Sequence, residues 1–307
     1  MKLTYYQSRD HWRTVAWERL VFGFLWSVNK LTRPIPLWWL GGALAWPAGR
    51  VAMLIPGVRR RALRNLERVW PEMPTGERRL IARRAAEQFT RLAVEYAHLG
   101  RFGDVMDVKA TGTEHLAAAR DAGKGAVLVT AHFGNWEAAR LIAQREGCET
   151  GIIFRKFNNR FLTRYSVELI GKYGQPVLLK GRRGMRQLVQ HVARGGFIMI
   201  LVDQRNSGAP FLDFLGHPAE TVTAAADLAH RTGAALIPVR ATRNVAARRF
   251  EVSFEAPITG DDPTRMMQDV NDRIGAWITE QPEQWLWFHR RWRQTIRSRA
   301  EDDEPGA

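Results

Sequence analysis

The sequence predicts an α/β protein: a central sheet flanked by helices, preceded by an N-terminal hydrophobic, amphipathic helical arm. Three observations predict it. After Gly112, short apolar β-prone runs alternate with stretches of helical periodicity, the pattern of strands joined by crossover helices. Before Val58 the chain is instead aromatic, apolar and punctuated by Pro and Gly. Between these regions, apolar residues recur at helical spacing with Arg filling the other face.

The arm contains two apolar segments, "LVFGFLWSVN" at 20–29 and "PLWWLGGALAWPAG" at 36–49, the second extended by "VAMLIPG" after Arg50. Each run is shorter than the roughly 20 apolar residues of a spanning helix, so shallow or single-pass anchoring is expected rather than several crossings. Trp38, Trp39 and Trp46 suit a membrane interface, although for any single Trp core packing is the commoner role. The polar start "MKLTYYQSRDHW" lacks the plan of a signal peptide, and export is not expected.

Residues 58–70 and 75–98 read as helices separated by "PEMP". Their Arg-rich faces suit either solvent or an anionic partner. Predicted strands follow at 126–130, 150–154, 176–179, 197–202, 235–240 and 250–256. Predicted helices fill 136–145, 160–173, 182–194, 222–231 and 264–280, and Pro282 then leads into "EQWLWFHRRWRQ". This divides the chain into an arm at 1–57, an α/β domain at 58–296 and a disordered tail at 297–307 that ends "EDDEPGA".

Composition narrows the class. At 307 residues with 45% hydrophobic and 25% charged residues, the chain buries a sizeable core and is not an extended disordered protein. Its 46 Lys+Arg against 31 Asp+Glu give +15, which attracts nucleic acid, anionic lipid or an acidic protein without choosing among them. The single cysteine, Cys148, forms no intramolecular disulfide and no multi-cysteine metal site. The G-x-S-x-G elbow, the phosphate-binding loop, the dinucleotide G-x-G-x-x-G and H-E-x-x-H are all absent. Serine-esterase, nucleoside-triphosphatase, dinucleotide and zinc-protease chemistries thereby lose their main support.

What remains is "AVLVTAHFGNWEAARLIA". The continuous apolar run predicts a strand buried on both faces, and "NWEAARLIA" opens a helix. His132 then projects beyond the carboxyl end of a strand, where ligands gather in α/β sheets. Asn135 suits a helix N-cap, Gly134 frees the turn, and Glu137 falls in the first helical turn. A carboxylate that orients one imidazole nitrogen leaves the other to take a proton, and free N–H groups of the helix start could steady an oxyanion. Taken alone, the spacing favours a strand-to-helix seam whose glutamate complements the helix dipole.

The surrounding residues tip the balance. "AHFGNWE" resembles the signature of the bacterial lipid A late acyltransferases, the lauroyl/myristoyl family within the wider glycerolipid acyltransferase superfamily. "NLERVWPEMPTGERRLIARRA", "FRKFNNR", "GRRGMRQLVQHVARGGFIMILVDQ", "GAPFLDFLGHPAETVTAAADLAHRTGAALIPV" and "PEQWLWFHRRWR" are similar, in order, to further family blocks. The resemblance covers nearly the whole chain. It implies a central mixed sheet and acyl transfer from an acyl carrier protein thioester to a hydroxyl of a lipid A precursor, at the cytoplasmic face of the inner membrane. It implies His132 as general base and Glu137 as its acidic partner, with Asn135, Arg155, Asn159, Asp203 and Gln204 binding substrate or shaping the pocket. No metal, cofactor or nucleic acid is called for.

Departures from the pattern are Lys156, Arg160 and Leu215, where the family usually has Pro, Pro and Phe. They bear on the acceptor more than on the chemistry, since related branches acylate other glycolipids such as phosphatidylinositol mannosides, and acyl-CoA is the alternative donor. Two other readings compete: a basic membrane- or nucleic-acid-binding protein without catalysis, and a thioesterase or lipid hydrolase using water as acceptor.

Overall fold

The computed structural model describes residues 12–292. The tail predicted at 297–307 and the polar first eleven residues lie outside them. β2 (Ala126–Thr130) forms the middle of the main sheet, because all five of its residues are buried. Around it run β1 (Asp107–Thr111), β3 (Thr150–Phe154), β4 (Val177–Leu179), β5 (Phe197–Leu201), β8 (Ala235–Asn244) and β9 (Arg249–Phe254), in the order β1-β9-β8-β2-β5-β3-β4. All neighbours are parallel except β8 and β9, which makes the sheet mixed, as expected.

Helices cover both faces and build a core on each. One face carries α3 (Pro56–Val69), α9 (Arg182–Ala193), α10 (Ala224–Thr232) and α11 (Pro263–Glu280). The other carries α2 (Leu37–Leu54), α5 (Leu99–Val105), α6 (Thr113–Asp121), α7 (Trp136–Arg145) and α8 (Arg160–Ile170). The long α4 (Thr75–Ala97) contributes to both cores, through Ile81, Ala82 and Ala85 at one end and Leu92 and Val94 at the other.

Four of the elements that the sequence pattern missed, β1, α6 and the two strands of a hairpin, escaped it for physical reasons. β1, "DVKAT", is an edge strand without an apolar run, and its residues alternate between exposed and half-buried. β6 (Phe211–Phe214) and β7 (His217–Glu220) form a small hairpin apart from the main sheet. Its turn places both Leu215 and Gly216 at positive φ, 55° and 78°, so a leucine sits where turn chemistry favours Gly or Asn. α6 follows Gly112 and is short and Ala-rich, with little amphipathic signal.

The arm is helical as predicted. α1 (Trp12–Thr32) buries none of its residues, and Trp17, Leu20, Phe24 and Leu31 face outward. α2 presses one side against α4, closely enough that a Cβ on Gly49 would lie 2.5 Å from Glu87 Cγ. Its other side exposes Trp39, Leu44, Trp46, Val51 and Leu54. No described helix is long and apolar enough to cross a membrane. Single-pass anchoring therefore gains no support: α1 carries four charged residues, and α2 spends one face on α4. The arm boundary drawn at residue 57 falls inside the first turn of α3.

Candidate active site

Sheet register assembles the site. β2 and β5 are parallel with Thr130 opposite Leu201, so the residues two positions beyond each strand, His132 and Asp203, emerge side by side. The backbone N–H of His132 donates to Asp203 Oδ2 at 2.9 Å, and His132 Nδ1 lies 2.8 Å from Oδ1. A carboxylate only accepts, so Nδ1 carries the proton and Nε2 presents its lone pair outward. The indole N–H of Trp285 donates to Asp203 Oδ2 at 2.8 Å. Asp203 is buried, which by itself raises its pKa. The charge of His132, its two hydrogen bonds and that of Trp285 outweigh burial and hold the carboxyl at about 2.

Gln204 follows directly. Its Nε2 lies 3.3 Å from His132 Nε2, an amide donor on the side where a substrate proton would be taken. The loop carrying it is clamped: Arg205 N–H donates to His289 Nε2 at 3.2 Å, and Glu220 receives both the Arg205 guanidinium and the Gly208 N–H. The histidine ring also packs edge-on against Trp136, with centroids 5.4 Å apart.

Glu137 stands elsewhere. Its carboxylate accepts from Tyr96 Oη at 2.7 Å and from Arg140 Nη1 at 2.6 Å, and both charged side chains are fully buried. Arg140 in turn donates to the carbonyls of Thr150 and Gly174. The expected His132–Glu137 hydrogen bond is absent, because the first turn of α7 aims Glu137 into the core beneath the sheet edge. Asp203 occupies the orienting position instead. Asn135 takes the expected N-cap position. It accepts from Glu137 N–H at 3.0 Å and donates to Glu95 Oε2 at 2.8 Å, and it is fully buried rather than facing substrate.

Two N–H groups just before α7 are engaged within the fold. Gly134 N–H is taken by Gln284 O and Asn135 N–H by Ala241 O. Gly134 adopts φ 55°, and a Cβ there would lie 1.8 Å from Ala241 O, so the backbone passes β8 too closely for any side chain. Beside it, Glu95 forms a buried ion pair with Arg243, which also donates to Gln88.

Arg155 is exposed beyond the carboxyl end of β3. Asn159 caps α8 by accepting from Phe161 and Leu162 N–H, while its amide donates to Glu18 O of α1 at 2.8 Å, so its polar atoms serve the joint between arm and domain. His132 opens on a crevice between α4 and the Trp285–Leu286 segment, lined also by Gln88, Phe89 and Leu92. Its volume is about 20 Å³, room for a single water and not for an acyl chain. Trp285, Glu95, Arg243, Tyr96 and Arg140 were not singled out from the sequence. Only Trp285 carried a signal there, within "PEQWLWFHRRWR".

A histidine hydrogen-bonded to a buried aspartate at the carboxyl ends of adjacent parallel strands marks the candidate active site of an α/β protein. The chain belongs to the bacterial lipid A biosynthesis acyltransferase family, whose model matches residues 6–294. It is 32% identical over 217 residues to the phosphatidylinositol mannoside acyltransferase of Mycolicibacterium smegmatis, covering 69% of each chain. It is 26% identical to the lipid A biosynthesis palmitoleoyltransferase of Escherichia coli, over 88% of this chain and 89% of that one. The lauroyltransferase of the same organism is also 26% identical, over 89% and 90%. The protein is thus an O-acyltransferase of the glycolipid type.

Proposed function

We propose that the protein transfers a fatty acyl chain from a thioester to a hydroxyl of a lipid A precursor or related glycolipid, by direct attack at a membrane surface. His132 Nε2 takes the hydroxyl proton while Asp203 holds the resulting imidazolium. The hydroxyl oxygen bonds to the thioester carbonyl carbon, and the amide of Gln204 donates to the oxyanion. Collapse breaks the carbon–sulfur bond, and the imidazolium returns its proton to the leaving thiolate. The observation that carries this is the His132–Asp203 pair, which leaves Nε2 unprotonated, with the Gln204 amide 3.3 Å from it. Glu137 acts through the core, holding α7 in place.

The donor we propose is an acyl carrier protein thioester, since +15 attracts an acidic carrier, with acyl-CoA the alternative. Arg155, exposed beside the site, is proposed to meet anionic groups of donor or acceptor. The outward Trp, Leu and Phe side chains of α1 and α2 support peripheral seating on the cytoplasmic leaflet of the inner membrane. The relatives' acceptors, phosphatidylinositol mannoside and lipid A, motivate a mass-spectrometric comparison of membrane glycolipids with active protein and with His132→Ala. A glycolipid that gains one acyl chain only with the active protein is expected. Full transfer by the folded His132→Ala variant, or release of the chain only as free fatty acid, overturns the proposal.

A further inference from the structure

A second cavity, of about 320 Å³, lies where the arm meets the domain. Lys30 and Arg33 of the α1 end and its turn form one wall, and Arg101 of α5 and Lys172 beyond α8 form the other. Glu168 is the one carboxylate among its lining residues, and its ion pair is with Arg164. None of the four cations has an ion pair with a carboxylate among the described residues. Like charges thus face each other across a gap, and burial foremost, with the charge of Arg33 added, pushes the Arg101 pKa down. Arg101 donates through Nη2 to Ile35 O at 2.6 Å, while its Nε is buried without a partner. Lys172 extends Nζ over Gly100, 3.7 Å from where a Cβ would stand.

Such a cluster calls for an anion, and its surroundings say which kind. Trp26 lines it and is exposed, with the Lys30 ammonium 5.2 Å from its ring, and α1 and the turn after it also expose Leu25, Val28, Leu31 and Ile35. A free phosphate gains nothing from that apolar rim. A phosphodiester headgroup with hydrocarbon tails gains from both parts. The cavity shares no lining residue with the crevice at His132, which draws on Leu92 and earlier residues of α4 and on the 284–286 segment. It is therefore distinct from the crevice at His132.

We propose that this cavity binds the phosphate headgroup of an anionic phospholipid of the bilayer, as a non-catalytic site that joins the arm to the α/β domain. The lipid's charge bridges Lys30 and Arg33 on one wall to Arg101 and Lys172 on the other, with its tails beside Trp26. The site rests on the peripheral membrane seating proposed above.

Its test is vesicle flotation of the full chain, using phosphatidylcholine with and without phosphatidylglycerol. The comparison is Lys30→Ala/Lys172→Ala, one cation from each wall, against Arg194→Ala/Arg231→Ala. The second pair removes the same charge from the ends of α9 and α10 on the other sheet face. With both variants folded by circular dichroism, the cavity pair is expected to lose about thirtyfold in affinity for phosphatidylglycerol vesicles, at roughly fivefold per cation beside an anionic bilayer. It should retain its binding to phosphatidylcholine, and the control pair should change less than about threefold. Equal losses in the two pairs, or no preference of the native protein for phosphatidylglycerol, overturn the site while leaving membrane seating intact. Failure of the native protein to bind any vesicle overturns both. Saturable binding of inorganic phosphate that the cavity variant lacks, with unchanged vesicle binding, assigns the cavity to a free anion and overturns the lipid.

Discussion

Asp203 and Glu137 are both buried carboxylates near one histidine, and their partners give them different consequences on substitution. Asp203→Asn keeps the volume but turns an acceptor into a donor facing Nδ1, which disfavours the catalytic tautomer. Transfer should fall on the order of a thousandfold or more with the thermal midpoint only moderately lowered. Glu137→Ala strands Arg140 in the core and is expected to cost about 3–5 kcal/mol, read as a lower urea midpoint, because removing one partner of a buried ion pair leaves an uncompensated charge. Should Glu137→Ala stay as stable as the native protein while losing activity, Glu137 would be reassigned to the chemistry. Asp203 also links stability to pH. Its folded pKa of about 2 lies below the unfolded value of 3.8, so its contribution is full above about 4 and is lost as pH falls through about 2. The native urea midpoint should drop across that window, and Asp203→Asn should remove part of the drop.

At the scale of elements, the site depends on joints between segments far apart in the chain. α7 starts against β8 through Gly134, and Gly134→Ala forces a 1.8 Å contact at positive φ, so a loss of several kcal/mol with loss of activity is expected from denaturant unfolding. The loop after β5 rests on His289, whose Nε2 must be unprotonated to accept from Arg205 N–H. Burial foremost, with the charge of His132 added, pushes the His289 pKa below 6.5 despite the opposing pull of Asp203. A depressed pKa contributes stability that is complete above the unfolded value and is lost as pH falls through the folded one. Activity and thermal midpoint should therefore decline on acidification below about 6.5, and His289→Gln, which retains an acceptor, should flatten that decline. An unchanged slope in His289→Gln would exclude the joint as its source. The strand-to-helix seam at β2 and α7 was legible because a run of apolar residues followed by a capping Asn has few other solutions. β1 and the β6–β7 hairpin were not, since an edge strand and an isolated hairpin bury too little to leave a period in the sequence.

For the whole molecule, α2 joins the arm to the domain against α4, and α1 joins it to α8 through Asn159 and through Glu18, which pairs with Arg160 at 2.8 Å. Glu18→Ala should loosen this joint and speed proteolysis within the arm, with less effect on the melting of the α/β body. The sequence by itself determined the alternation of strand and helix, the apolar arm, the basic surface, and His132 at the carboxyl end of a buried strand. These follow from local period and composition, which act over a few residues. Only the tertiary structure decided which carboxylate serves His132. Sequence spacing put Glu137 five positions away, but helix geometry turned it into the core. The parallel register of β2 and β5 instead brought Asp203 across 71 residues to 2.8 Å, and Trp285 from further still. Pairing across a sheet is set by hydrogen-bond register and burial on both faces, and neither is written in the separation of two residues along the chain.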